Sequence, residues 1–146
     1  MNYRMHDLSA FPFVALVSDR CVPGYAEQWG MEMDALLDSG KMFVVAYHQD
    51  TLNETAEDFR TRGIWFKKNR ARLAGHCAAM VAIVPSEDQR QAFAVDMEKR
   101  SRGFGVRYCA LESFDAARSA TARFVQDVAD KPGTLARLPA ESVGVS

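Results

Sequence analysis

The chain has few cysteines, no glycine-rich loop and no long apolar run, and each shortage excludes a class of function. Its three cysteines, Cys21, Cys77 and Cys109, are an odd number without a CxxC pair. That pattern is neither a disulfide framework nor a zinc ribbon. Each lies at or near the end of an apolar run, where a small buried hydrophobe in a reducing compartment is the simplest expectation. Neither GxGxxG nor GxxxxGK[ST] occurs, so the backbone approach that a dinucleotide or nucleoside triphosphate needs is missing. His6, His48 and His76 are scattered and lack paired carboxylates, which leaves no metal-ligand spacing and no cofactor to expect. No apolar stretch approaches the roughly 20 residues of a membrane span, and the N-terminus shows no leader core. The expected location is cytoplasmic.

Charge of one sign is locally absent as well. Between Cys21 and Gly40 stand Glu27, Glu32, Asp34 and Asp38 with no Lys or Arg; between Phe59 and Ser86 stand Arg60, Arg62, Lys67, Lys68, Arg70 and Arg72 with no acid. The net charge of −1 therefore hides one acidic and one basic helix. It also disfavours nucleic acid as a partner, since such proteins usually carry a basic domain.

At 146 residues with 48% apolar content, the chain has material for one core. Residues 1–10 read as a polar lead-in, 11–130 as one α/β domain and 131–146 as a mobile tail. Strands are expected over 11–18 (FPFVALVS), 42–47, 78–84 and 106–111. Between them lie helical patterns. In 25–39 the stripe Tyr25, Trp29, Met33, Leu36, Leu37 turns inward and Gly40 supplies the stop. The next helix is capped by Asn53, carries a Phe59–Phe66–Leu73 stripe with Gly63 on nearly the same face, and stops at Gly75. Ser86 with Gln89 forms a capping box, Phe93 and Met97 point inward, and Gly103 and Gly105 close that helix. Ser113 caps a last helix with a stripe of Ala116 or Ala117, Ala120, Phe124 and Val128. The alternation implies about four mainly parallel strands with helices on both faces, with room for one reversed edge strand.

Two functional readings follow. In the first, Trp65 stands opposite the Phe59–Phe66 stripe among Arg60, Arg62, Lys67, Lys68, Arg70 and Arg72. An indole among cations is a recognition surface for an acidic protein, or for the acidic helix of a second copy in a homodimer. The domain is then a non-catalytic regulatory or adaptor module. In the second, a small-molecule enzyme or ligand-binding site lies beyond the carboxyl ends of the strands. Cys21 would be the nucleophile, His48 its base and Asp50 the orienter, with Cys21, His48, Thr51 and Ser86 on the pocket rim.

Taken together, FVALV, LLDSG, FVVAY, MVAIV and VRYCALESFDAARS resemble the SpoIIAA-like group of STAS/SEC14-type α/β domains over about residues 11–124. The resemblance implies a layered α/β fold and a binding role. Its anti-sigma-factor-antagonist branch is phosphorylated in a D-S-[ST]-G type turn. Here the turn reads Asp50-Thr51-Leu52-Asn53-Glu54-Thr55, which lacks that motif, so no phosphorylated residue carries over. The SEC14-like branch implies an apolar lipid pocket that no residue pattern here marks.

Overall fold

The computed structural model describes residues 2–48 and 53–130. The tail at 131–146, with Asp50 and Thr51, lies outside the described residues. A five-stranded sheet runs in the order β1 (His6–Ala10), β2 (Phe13–Leu16), β3 (Phe43–His48), β4 (Cys77–Ile83) and β5 (Tyr108–Leu111). β2 to β5 are parallel, while β1 pairs antiparallel with β2, opposing His6 to Leu16 and Ala10 to Phe13. The helices are α1 (Ala26–Asp38), α2 (Ala56–Lys68), α3 (Arg70–His76), α4 (Glu87–Ala92), α5 (Ala94–Phe104) and α6 (Phe114–Ala129).

The strand order never reverses, and this fixes where the helices lie. A parallel crossover is right-handed in nearly all proteins, so three successive crossovers in one direction place their helices on one face. Strand alternation agrees. Val14, Leu16, Val45, Met80, Ala82 and Tyr108 form one cluster with Trp29 and Met33 of α1, Trp65 of α2, Leu73 of α3 and Met97 of α5. Phe13, Val44, Ala46, Val81 and Ile83 form the other with Ala117 and Phe124 of α6. Both faces are covered, by α1, α2, α3 and α5 on one and by α6 on the other.

The lead-in is the main departure from the sequence expectation. Residues 6–10 are an edge strand, and Met5 and His6 are buried. A single carboxylate holds this strand. Glu32 accepts the backbone N–H groups of Arg4 at 2.9 Å, Met5 at 3.0 Å and His6 at 3.0 Å, with Gln28 Nε2 at 2.8 Å and His6 Nδ1 at 2.9 Å. Burial works against the ionised Glu32. The donors from His6, Gln28, Arg4 and Met5 outweigh it and hold the carboxyl at about 2.

The long basic helix is two helices, broken at Asn69, whose φ of −108° and ψ of 17° leave the helical region. Gly75 does not stop it, because α3 continues to His76. Its cap is also different. Thr55, not Asn53, accepts the N–H of Asp58 at 3.0 Å, while Asp58 accepts that of Thr55 at 3.1 Å, which closes a capping box. Asp58 further accepts Gly24 N at 2.8 Å and Ala26 N at 3.2 Å, so one buried carboxylate caps α1 and α2 together. Gly40, Gly105, Ser86 and Ser113 end or cap helices as the sequence implies; Gly40 and Gly105 sit at φ +74° and +71°.

Candidate functional site, a cavity beneath α2

The predicted recognition helix is divided among several tasks by the fold. Trp65 is buried, with its ring 5.1 Å from that of Trp29 and its indole N–H donating to Asp34 Oδ1 at 2.9 Å. Gly30 lies beside this indole, where a Cβ would stand 3.4 Å from Trp65 Cδ1, in ordinary contact. Arg62 makes a bidentate pair with Glu54 (2.9 and 2.8 Å), and Arg72 pairs with Asp38. The acidic α1 is thus a neighbour of the basic α2 and α3 within the same molecule. The indole is core, so it does not anchor a partner. Arg60 and Lys68 face solvent. Lys67 and Arg70 have a different position, at a cavity.

The second constellation does not assemble either. Tyr47 faces the α1–α5 side, and alternation turns the next residue, His48, to the α6 side, where its ring lies 5.0 Å from Phe114. Cys21 is fully buried in the cluster on the α1–α5 face, with Sγ 3.5 Å from the Val17 carbonyl oxygen. The sheet separates the two. Burial also pushes the Cys21 thiol up to about 11, the reverse of what a nucleophile needs. Ser86 is committed to capping α4 through Gln89 N at 3.3 Å. Among the described residues of the expected rim, Cys21, His48 and Ser86 do not come together, while the fourth, Thr51, lies outside the described residues. Ligand crevices at strand carboxyl ends form where the strand order reverses, and here it does not.

What the structure contains instead is a cavity of about 620 Å³ on the α1–α5 face. Its floor is the sheet, through Leu16, Val45, Tyr47, Met80 and Tyr108. Trp29 and Met33 of α1 close one side, and Arg100 and Gly103 of α5 lie on its margin. The roof is α2, through Phe59, Gly63 and Phe66. The origin of the space is legible in α2 itself. Only Asp58 and Trp65 of its 13 residues are buried, and both are held by α1. The Phe59–Phe66 stripe therefore faces a gap rather than a filled core: Phe59 is 66% exposed, and a Cβ on Gly63 would meet nothing within 4 Å.

The floor is apolar and the mouth is cationic. Arg62, Lys67, Arg70 and Arg100 line it against one carboxylate, Glu54. Glu54 is already occupied by Arg62 and by the Tyr25 hydroxyl, which donates to it at 2.7 Å. Among the described residues no carboxylate pairs with Lys67, Arg70 or Arg100. Arg70 reaches the Arg102 carbonyl at 3.4 Å, and Arg100 lies 5.7 Å over the Tyr108 ring. Sequence reasoning missed this site. The available signal was the Phe59, Gly63, Phe66 face, where a glycine in an aromatic stripe leaves a hole.

Comparison with known protein families, with curated proteins and with solved structures finds no match for this chain. Among the described residues no three His, Cys, Asp or Glu side chains converge to hold a metal ion, and no helix is long and apolar enough to cross a membrane.

Proposed function

We propose that this protein is a small-molecule binding protein that holds a largely apolar ligand between α2, α5 and the sheet. The observation that carries the reading is the 620 Å³ cavity with an apolar floor, roofed by a helix whose one buried apolar side chain, Trp65, packs on α1. Its size falls in the range of about 300–1,000 Å³ typical of sites for drug-sized ligands. The SpoIIAA-like kinship belongs to this proposal. Its support is the β/α alternation with a reversed edge strand, and the binding role it implies agrees with a cavity. An adaptor role for the basic helix has less behind it, because its aromatic anchor lies inside the molecule.

The test uses the neutral fluorophore N-phenyl-1-naphthylamine. The intact chain should bind one equivalent with saturable enhancement. Gly63→Leu extends a side chain into the open space and should weaken binding at least about tenfold, a change of about 1.4 kcal/mol. It should leave the urea midpoint unchanged or raised, since glycine is a poor helix residue. Non-saturable uptake, or equal binding by Gly63→Leu, overturns the proposal.

A further inference from the structure

We infer that the ligand is an aromatic organic anion, with its rings on the cavity floor and its acidic head at Lys67, Arg100 and the Tyr47 hydroxyl. The inference rests on the cavity reading above and adds the ligand's chemical class. Three observations support it. First, the charges at the mouth are unbalanced. Lys67 of α2 and Arg100 of α5 both line the cavity, and neither has a carboxylate partner among the described residues. The one acid at the site is neutralised by Arg62. A neutral ligand would leave this excess of cations unanswered, and an anion would complete it through charge-assisted hydrogen bonds.

Second, a donor is waiting at that end. The Tyr47 hydroxyl donates to no described residue, although the Tyr47 ring packs edge-on against Tyr108 at 6.3 Å. Burial pushes its phenol above the ordinary value, against the opposing influence of Arg100 and Arg62, so it stays protonated and able to donate. Third, the lining is aromatic on both sides. Tyr47 and Tyr108 lie below and Trp29 at one side, with Phe59 and Phe66 above. Such rings favour a flat, polarisable guest through edge and offset contacts. Phe59, largely exposed at the margin, would be covered by it.

A matched pair of probes separates this inference from its parent. 8-Anilinonaphthalene-1-sulfonate is N-phenyl-1-naphthylamine with one sulfonate added. The sulfonate should bind about tenfold tighter at low salt and lose that advantage as salt rises, because exposed charge is screened over about 10 Å at 0.1 M. Lys67→Gln and Arg100→Gln should each weaken the sulfonate about three- to tenfold, with Tyr47→Phe at the lower end, and each should weaken the sulfonate more than it weakens the neutral probe, which touches the same lining without the charge. Arg60→Gln and Lys68→Gln, which remove solvent-facing charges of the same helix, should change neither. 2-Naphthoate should displace the bound sulfonate at lower concentration than decanoate. Equal affinities for the two probes, or equal losses at Arg60 and Lys67, overturn the anion subsite while the cavity stands. Decanoate competing as well as naphthoate overturns the aromatic class. If neither probe saturates, the cavity reading itself fails.

Discussion

His6 Nδ1 donates to Glu32 Oε1 at 2.9 Å with both side chains fully shielded from solvent, and this contact joins the edge strand to α1. Glu32 is also the acceptor for three consecutive backbone N–H groups, so the register of β1 depends on one charge. Glu32→Gln replaces a lone-pair-rich acceptor with an amide whose NH₂ faces donors. It should cost about 3 kcal/mol in urea denaturation, the usual penalty for breaking a buried charged network.

The same carboxylate sets an acid limit. Its folded pKa of about 2 lies below the ordinary glutamate value of 4.5, so its contribution is fully present above about pH 4.5 and lost as pH falls toward 2. Urea midpoints measured from pH 6 to 2.5 should fall through that window. Glu32→Gln should start lower and fall less steeply; an unchanged slope in the variant removes Glu32 as the cause.

Asp58 caps two helices at once, and the loss should be correspondingly large. Burial works to raise its carboxyl, but the N–H donors from Gly24, Thr55 and Ala26 outweigh it and keep it below the ordinary value. An ordinary cap is worth about 1 kcal/mol, so Asp58→Ala should cost about 2–3 kcal/mol, and Asp58→Asn less. Thermal melts followed by circular dichroism give both values.

Trp65→Ala removes an indole packed edge-to-face against Trp29 and beside Gly30, and should destabilise by about 3–5 kcal/mol. Were Trp65 a partner anchor on the surface, the same change would leave the midpoint nearly unmoved. Trp65→Phe keeps most of the packing but loses the bond to Asp34, and its cost should match Asp34→Ala to within about 1 kcal/mol.

The cysteines should be inert in the native state. Burial pushes Cys21 to about 11 and Cys77 to about 12, and raises Cys109. Iodoacetamide at neutral pH should label none of the three quickly until the chain is unfolded in urea. Rapid native labelling at Cys21 would restore the nucleophile reading.

Gly63 and Gly105 offer a matched contrast. Gly63 is helical with open space around it, so Gly63→Ala should stabilise by about 1 kcal/mol. Gly105 holds φ +71° at the end of α5, so Gly105→Ala should destabilise by about 1 kcal/mol or more.

Local chemistry in the chain was enough to specify β2 to β5, the helices between them, the left-handed stops at Gly40 and Gly105, and the caps at Ser86 and Ser113. These depend on periodicity and on a few neighbouring residues, all of which a sequence carries. Glu32 was legible too, in retrospect, since it lies three residues after Trp29 and four before Leu36 on the inward stripe. Strand β1 was not, because HDLSA lacks alternation and is held by a carboxylate 26 residues away. The break at Asn69 was hidden by a continuous helical pattern.

The partner of the basic helix was decided only in three dimensions. Charge pattern establishes that α2 and α3 need an acidic neighbour, but the tertiary contact makes that neighbour α1 of the same chain, through Trp65 with Asp34 and Arg72 with Asp38. Strand order likewise came from tertiary structure. Its unbroken run places α1, α2, α3 and α5 on one face, and the sheet then separates Cys21 from His48. By mounting α2 on α1 instead of on the sheet, it also opens the cavity beneath Phe59, Gly63 and Phe66. A sequence records which faces are apolar; whether such a face meets a core or an empty space depends on where distant elements carry it.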